Sequence, residues 1–316
     1  MKLITCEING LEKVAVLVEE RVYTLESLGV IPSYDLPGHG FSMADIIGMW
    51  DEEFSKKIEE SVSAAAGRVD STDACSGGDA DLASSGLHIS DVKILSPIPR
   101  PNQDIICLGL NYSEHALEAK EFDSDFTTEK AAAVYFSKRT SYSQGSGAPI
   151  PSHKNLTSQL DYETELAVII GKDAYQVSEE DAENYIFGYS VFNDVSAREV
   201  QTGHKQWYFG KSLEGFSPMG PCIVTRDEFS YPPALAIKSF VNGKPRQDSN
   251  TANLIHGISE IISELSSGMV LTAGTIIATG TPAGVGMGMD PPTFLESGDE
   301  VICYIEGIGE LKNIIE

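Results

Sequence analysis

A strand-dominated α+β fold follows from three features of the sequence. After residue 97, short runs rich in β-branched and apolar residues succeed one another: DIICLGL, AVYFSK, ELAVIIG, GYSVFND, GPCIVT, TIIATG and DEVICYI. Few helical patterns interrupt them, notably EEDAENYI and ANLIHGISEIISELS. The strict strand–helix alternation of a doubly wound parallel sheet is missing.

Ahead of these runs, MKLITCEINGLEKVAVLVEERVYTL reads as hairpin strands broken at Asn9-Gly10 and again around Glu19-Glu20. A helix-like segment follows around Met43 to Ala66. Residues 67–90 are poor in large apolar groups and rich in Ser, Gly, Ala and Asp, the composition of a flexible linker. The proline-rich ILSPIPRP then sets a boundary near residue 97. The expected organisation is a small N-terminal α+β domain over 1–96 and a larger domain over 97–316.

Composition narrows the function. A formal charge of −25 on 316 residues argues against a nucleic-acid surface, which needs a basic stripe. An anionic substrate would require a local cluster of Lys or Arg. The 5 cysteines are widely spaced and form no CxxC pair, so neither a disulfide framework nor a zinc knuckle is expected. No signal-peptide core and no long apolar run stand out, and the expectation is a cytoplasmic protein without a membrane partner.

Chemistry begins at LDYETELAVIIG. Glu163 and Glu165 lie two apart in a strand, so alternation sends both carboxylates to one face and Thr164 to the other. Like charges sharing a patch repel unless a cation sits between them or the patch faces water. About thirty residues on, GYSVFNDVSAREVQ ends a strand at Asp194 and opens a helix for which Ser196 is the expected cap. Three carboxylates make a hard, all-oxygen site suited to Mg²⁺ or Mn²⁺, with Ca²⁺ as the alternative. A solvated strand face is the competing explanation of the spacing alone. In LNYSEHALEAK, His115 and Glu118 are three apart on one helical face, an imidazole beside a carboxylate that can orient it as a base. TGTPAGVG matches no P-loop or dinucleotide fingerprint, but its small residues would let backbone N–H groups and the Thr281 hydroxyl approach an anion.

Seven runs in this order, ICLGLNYSEHALEAK, VYFSKRTS, LDYETELAVIIGK, GYSVFNDVSAREVQ, QWYFGKSLEGFSPMGPCIVT, VNGKPRQ and TIIATGTPAGVG, resemble the fumarylacetoacetate hydrolase family over residues 100–316. The resemblance implies a mixed β-roll catalytic domain, usually homodimeric, with a divalent metal on Glu163, Glu165 and Asp194. On that reading the dication is what makes the paired glutamates tolerable. It implies a His115–Glu118 dyad on a lid that continues into EFDSDFTTEKAAA, and active-site places for Lys138, Lys211, Arg198 and Gln201, with Thr281 near the substrate carboxylate. The activity implied is metal-assisted hydrolysis of a carbon–carbon bond in a small β-diketo acid, an acylpyruvate. Decarboxylation of an oxaloacetate-like acid and isomerisation of a hydroxy-dienedioate share the same motifs, and a non-catalytic metal-binding relative is a third class. GKSLEG departs from the GKSFD of many relatives at Leu213 and Glu214, which bears on substrate choice.

Overall fold

The structure, a computed structural model, describes residues 1–33, 40–69, 86–122 and 132–316. Residues 70–85 of the expected linker and 123–131 of the expected lid lie outside them. The N-terminal alternation gives three antiparallel strands, β1 (Lys2–Ile8), β2 (Leu11–Val18) and β3 (Arg21–Thr24). Asn9 and Gly10 both take positive φ, 52° and 77°, the backbone that a two-residue hairpin turn demands. Helices Met43–Gly48 and Glu52–Val69 follow, the first opened by a capping box between Ser42 and Asp45. Short strands β4 (Leu87–His88) and β5 (Lys93–Ile94) close the segment.

The later runs form β6 (Ile105–Gly109), β7 (Val134–Lys138), β8 (Pro149–Ile150), β9 (Leu160–Asp161), β10 (Thr164–Ile170), β11 (Ile186–Asn193), β12 (Ser196–Ala197) and β13 (Met219–Thr225). After these come β14 (Ala236–Val241), β15 (Lys244–Asn250), β16 (Ile276–Ala278), β17 (Glu300–Ile305) and β18 (Gly309–Ile315). The fold is α+β and strand-rich, as the sequence predicts. Among the described residues, one 11-stranded sheet runs β4-β3-β2-β1-β13-β11-β10-β16-β6-β7, with β5 on β1. A 5-stranded sheet, β15-β14-β17-β18-β8, and the β12-β9 pair complete the architecture. Nearly all pairings are antiparallel; β16–β6 and β18–β8 are parallel. No helix among the described residues is long and apolar enough to cross a membrane.

Two local expectations are corrected, and one unassigned motif finds its place. EEDAENYI yields only a 3₁₀ turn, Ala182–Tyr185, because Ile186 is already committed to β11. Ser196 caps no helix: it belongs to β12, its hydroxyl donates to Asp194 O, and the helix begins after Ala197 without a side-chain cap. VNGKPRQ, unassigned from local pattern, lies across the turn between β14 and β15, with Asn242 at φ 50° and Gly243 at φ 71°.

Every residue of β10 and β11 is buried, since both strands are central and both faces are covered. Leu166, Val168 and Ile170 enter one apolar cluster, whereas Ala167 and Ile169 enter another that also holds Met43, Ile46, Ile47 and Ile58 from the N-terminal helices. Trp50 meets Phe187 edge-on at 4.9 Å within that second cluster's surroundings. The N-terminal strands continue the same sheet, β1 pairing with β13 at Lys2↔Val224 and Leu3↔Ile223. Close packing at this centre has a testable limit. A Cβ on Gly188 would lie 2.3 Å from Val224 O, so Gly188→Ala should destabilise by roughly 1–3 kcal/mol through overpacking. Gly48, with nothing within 4 Å, is the control, and thermal unfolding should show a lower melting point for Gly188→Ala alone.

Candidate active site

Register, not sequence distance, assembles the carboxylates. Thr164 on β10 lies opposite Asn193 on β11. Glu163, just before one strand, therefore meets Asp194, just after the other, and Asp194 N–H donates to Glu163 O at 2.9 Å. Glu165 follows by alternation. Ligand oxygens of Glu163, Glu165 and Asp194 all lie within 4.8 Å of one another, and all three side chains are buried.

Cations of the chain itself also reach this cluster, beside the dication that the resemblance implies. Lys211 Nζ bridges Glu163 Oε2 at 2.7 Å and Asp194 Oδ2 at 2.9 Å. Lys138, at the end of β7, pairs with Asp194 Oδ1 and donates to Val195 O at 2.9 Å. Arg198 Nη1 lies 2.6 Å from Glu163 Oε1 and also donates to Gln201 Oε1 at 3.1 Å. The compensation is uneven. Burial would raise the Glu163 carboxyl, but Lys211 and Arg198 outweigh it and hold it below the usual range. Glu165 receives only the Gly280 N–H, at 2.8 Å, and among the described residues no basic group pairs with it. Burial, then Asp194 and Glu163, push its carboxyl well above the usual range. Lys138 is shifted down, chiefly by burial, with Asp194 opposing; Lys211 is shifted up because Asp194 and Glu163 overcome its burial.

That imbalance is the test of fit for a divalent ion. The three converging carboxylates are hard oxygen donors, and Glu165 is the member that the chain leaves without a cationic partner. Glu163, Glu165 and Asp194 are therefore the residues that would hold it.

Helix Ser113–Phe122 brings His115 to the cluster; the residue is 4% exposed, and when charged it favours ionised Glu163. Its root is fixed by Asn111, whose amide donates to Thr279 O and His256 O and accepts from His256 N–H. The expected His115–Glu118 contact is loose: Nδ1 lies 3.5 Å from Glu118 Oε2 and has no hydrogen-bond partner. Glu118 instead accepts the Gly284 N–H at 2.9 and 3.1 Å. Thr281 lines a pocket with His115. Its hydroxyl donates to Thr164 O at 2.9 Å and accepts from Gln247 Nε2 at 2.7 Å, so it has no hydrogen left for an anion. Arg198, Gln201, Lys211, Thr281 and His115 line this pocket together with the apolar Phe136, Trp207 and Met287, and its free space is only about 20 Å³.

Residues 104–316 match the family model described as fumarylacetoacetate (FAA) hydrolase C-terminal. The chain belongs to the fumarylacetoacetate hydrolase family. Within it, oxaloacetate tautomerase YisK of Bacillus subtilis is 45% identical over 74% of this chain and 77% of that protein. Fumarylacetoacetate hydrolase from the psychrophile Exiguobacterium antarcticum is 35% identical, with a TM-score of 0.76 over 100% of this chain and 99% of that one. Maleylpyruvate hydrolase of Sphingobium sp. SYK-6, solved with manganese (II) and pyruvate, is 26% identical, with a TM-score of 0.71 over 100% and 98%. Members of this hydrolase family include hydrolases, isomerases and a tautomerase, so the chain is an enzyme of that broad kind.

Asp161, Asn111 and Gln247 carry structural weight at the site without having been singled out from sequence. Asp161 had a signal, standing two before Glu163 in the same alternation. Two predictions follow from the geometry. Mn²⁺ or Mg²⁺ should raise the melting temperature of metal-stripped protein, and Glu165→Ala should abolish the shift; a shift retained in that variant refutes the ligand set. A Cβ on Gly288 would sit 2.6 Å from the Glu118 carboxyl carbon, a flexible end that can move away. Gly288→Ala should therefore lower kcat, by about tenfold if one charged hydrogen bond is lost, with Mn²⁺ affinity by calorimetry unchanged.

Proposed function

We propose that this protein is a divalent-metal-dependent enzyme acting on a small 2-keto dicarboxylic acid of the oxaloacetate type, interconverting its keto and enol forms. The carrying observation is a buried carboxylate triad that meets a basic cluster, Lys138, Lys211 and Arg198, in a pocket also lined by His115. Likeness to the B. subtilis oxaloacetate tautomerase supports the same substrate class.

The chemistry that a bound dication supplies is Lewis-acid polarisation of a carbonyl. Arg198 and Gln201 are the groups suited to a substrate carboxylate, a planar fork beside an amide. Lys138 and Lys211 hold Asp194 and Glu163 in place through their ion pairs. His115 Nδ1 faces Glu118, which leaves Nε2 to accept the proton from the carbon between the two carbonyl groups. The proton returns to oxygen or to carbon, so neither water nor any other reactant is consumed. Phe136, Trp207 and Met287 keep bulk water off the exchanged proton.

The test follows the enol absorbance of oxaloacetate with and without Mn²⁺, beside pyruvate release from acetylpyruvate and from oxaloacetate. Faster metal-dependent enol decay is expected; acetylpyruvate cleavage with enol decay at the uncatalysed rate overturns the reading. His115→Ala should lower kcat by about two to four orders of magnitude while Mn²⁺ affinity holds. Hydrolysis of an acylpyruvate is the second reading, favoured by the His115–Glu118 pair, which could activate a water once Glu118 leaves Gly284. A homodimer accompanies either reading, and light scattering at micromolar concentration should give twice the chain mass.

A further inference from the structure

We infer that Asp161 is a positioning residue: its buried carboxylate aims Arg198 at a substrate carboxylate and pins the turn against which helix Ser113–Phe122 closes as a lid. The inference rests on reading the pocket as a keto-acid site. Asp161 is fully buried at the end of β9 and touches no member of the carboxylate triad's ion pairs except through Arg198. Oδ1 accepts from Gly286 N–H at 2.7 Å and Tyr162 N–H at 2.9 Å. Oδ2 accepts from Met287 N–H at 3.0 Å and Arg198 Nε–H at 2.9 Å. With two donors on each oxygen, a carboxylate's acceptor positions are filled.

Consider what this leaves of the guanidinium. Nε is held by Asp161, and Nη1 is held by Gln201 and Glu163. Nη2 lies 2.9 Å from Asp161 Oδ2 but out of line for a hydrogen bond, and it is buried without a hydrogen-bond partner. Arg198 lines the pocket, so two edges of the fork are anchored and the remaining donor is the one offered to an anion. On its other side, Asp161 fixes a turn with no room to spare: a Cβ on Gly286 would fall 2.7 Å from Oδ1. Met287, whose N–H Asp161 binds, packs with Val285 against Ala119 of the lid helix, and Gly284 just before holds Glu118. One carboxylate thus serves both the anion donor and the lid seat.

Asp161→Asn keeps the shape but sets an NH₂ donor against either pair of donors, which should free the guanidinium. Oxalate, a small dicarboxylate probe, is titrated calorimetrically into full-length protein saturated with Mn²⁺, for wild type, Asp161→Asn, Arg198→Ala and the double variant. Asp161→Asn should weaken oxalate about tenfold, as loss of one hydrogen bond to a charged group would, with no further weakening in the Arg198→Ala background. KM for the keto acid should rise more than kcat falls, and Asp161→Glu should recover part of the oxalate affinity. If the asparagine variant does not fold, Asp161→Glu takes its place in the cycle, with a smaller loss that also vanishes without Arg198. Unchanged oxalate affinity, equal losses in both backgrounds, or no oxalate binding by the wild type overturns the inference. The expected oxalate pattern without turnover of any keto acid would instead defeat the functional reading and leave this one standing.

Discussion

Lys211 bridging Glu163 and Asp194 is the interaction on which the site depends. Each buried ion loses several kcal/mol of hydration, and only close, well-directed partners offset that loss. The chain meets the requirement with Lys138 and Arg198 as further partners, drawn from β7 and from the helix after β12. Their attachment points are widely separated in sequence, so the ion-pair network also fixes how the edge of the large sheet, the β10–β11 pair and the short helices sit together. Glu165 is the exception, held among the described residues only by a backbone N–H, and the uneven neutralisation marks where a further positive charge belongs.

Glycine geometry supports the same centre. Gly280 has φ near +100°, a backbone that other residues rarely adopt, and a Cβ there would come within 2.7 Å of Asn111 Cβ. The turn can therefore approach closely enough for its N–H to reach Glu165, while Asn111 ties the start of helix Ser113–Phe122 to Thr279 O. Small residues in this loop serve close backbone approach, as the TGTPAGVG run suggests, and the anion that the Gly280 N–H reaches is the chain's own Glu165.

Much of this was legible in the sequence where the signal is local. Alternation placed Glu163 and Glu165 together, Asn9-Gly10 marked its turn, and the strand-like runs became strands. The short helix expected at EEDAENYI failed because strand pairing at Ile186 overrides helical preference. What could not be read were partners set by register and loop approach. Nothing in HxxE shows that Glu118 turns to Gly284, nothing in TGTP shows that Gln247 occupies the Thr281 hydroxyl, and the tie from Asp161 to Arg198 spans 37 positions. The motif resemblance supplied the site's membership; only geometry distinguishes which members face the pocket and which face each other.

The face of β10 that carries the glutamates at one end carries Ala167 and Ile169 further along, and there it shares an apolar cluster with the N-terminal helices. The first segment of the chain is thus the far wall of the strand that bears the chemistry. Cutting near residue 97 would strip this wall and also release the pairing of β1 with β13, leaving a greasy surface beside an open sheet edge, the combination that recruits other chains. Recombining this catalytic half with a different leading segment would succeed only where the newcomer matches that surface in shape as well as in hydrophobicity.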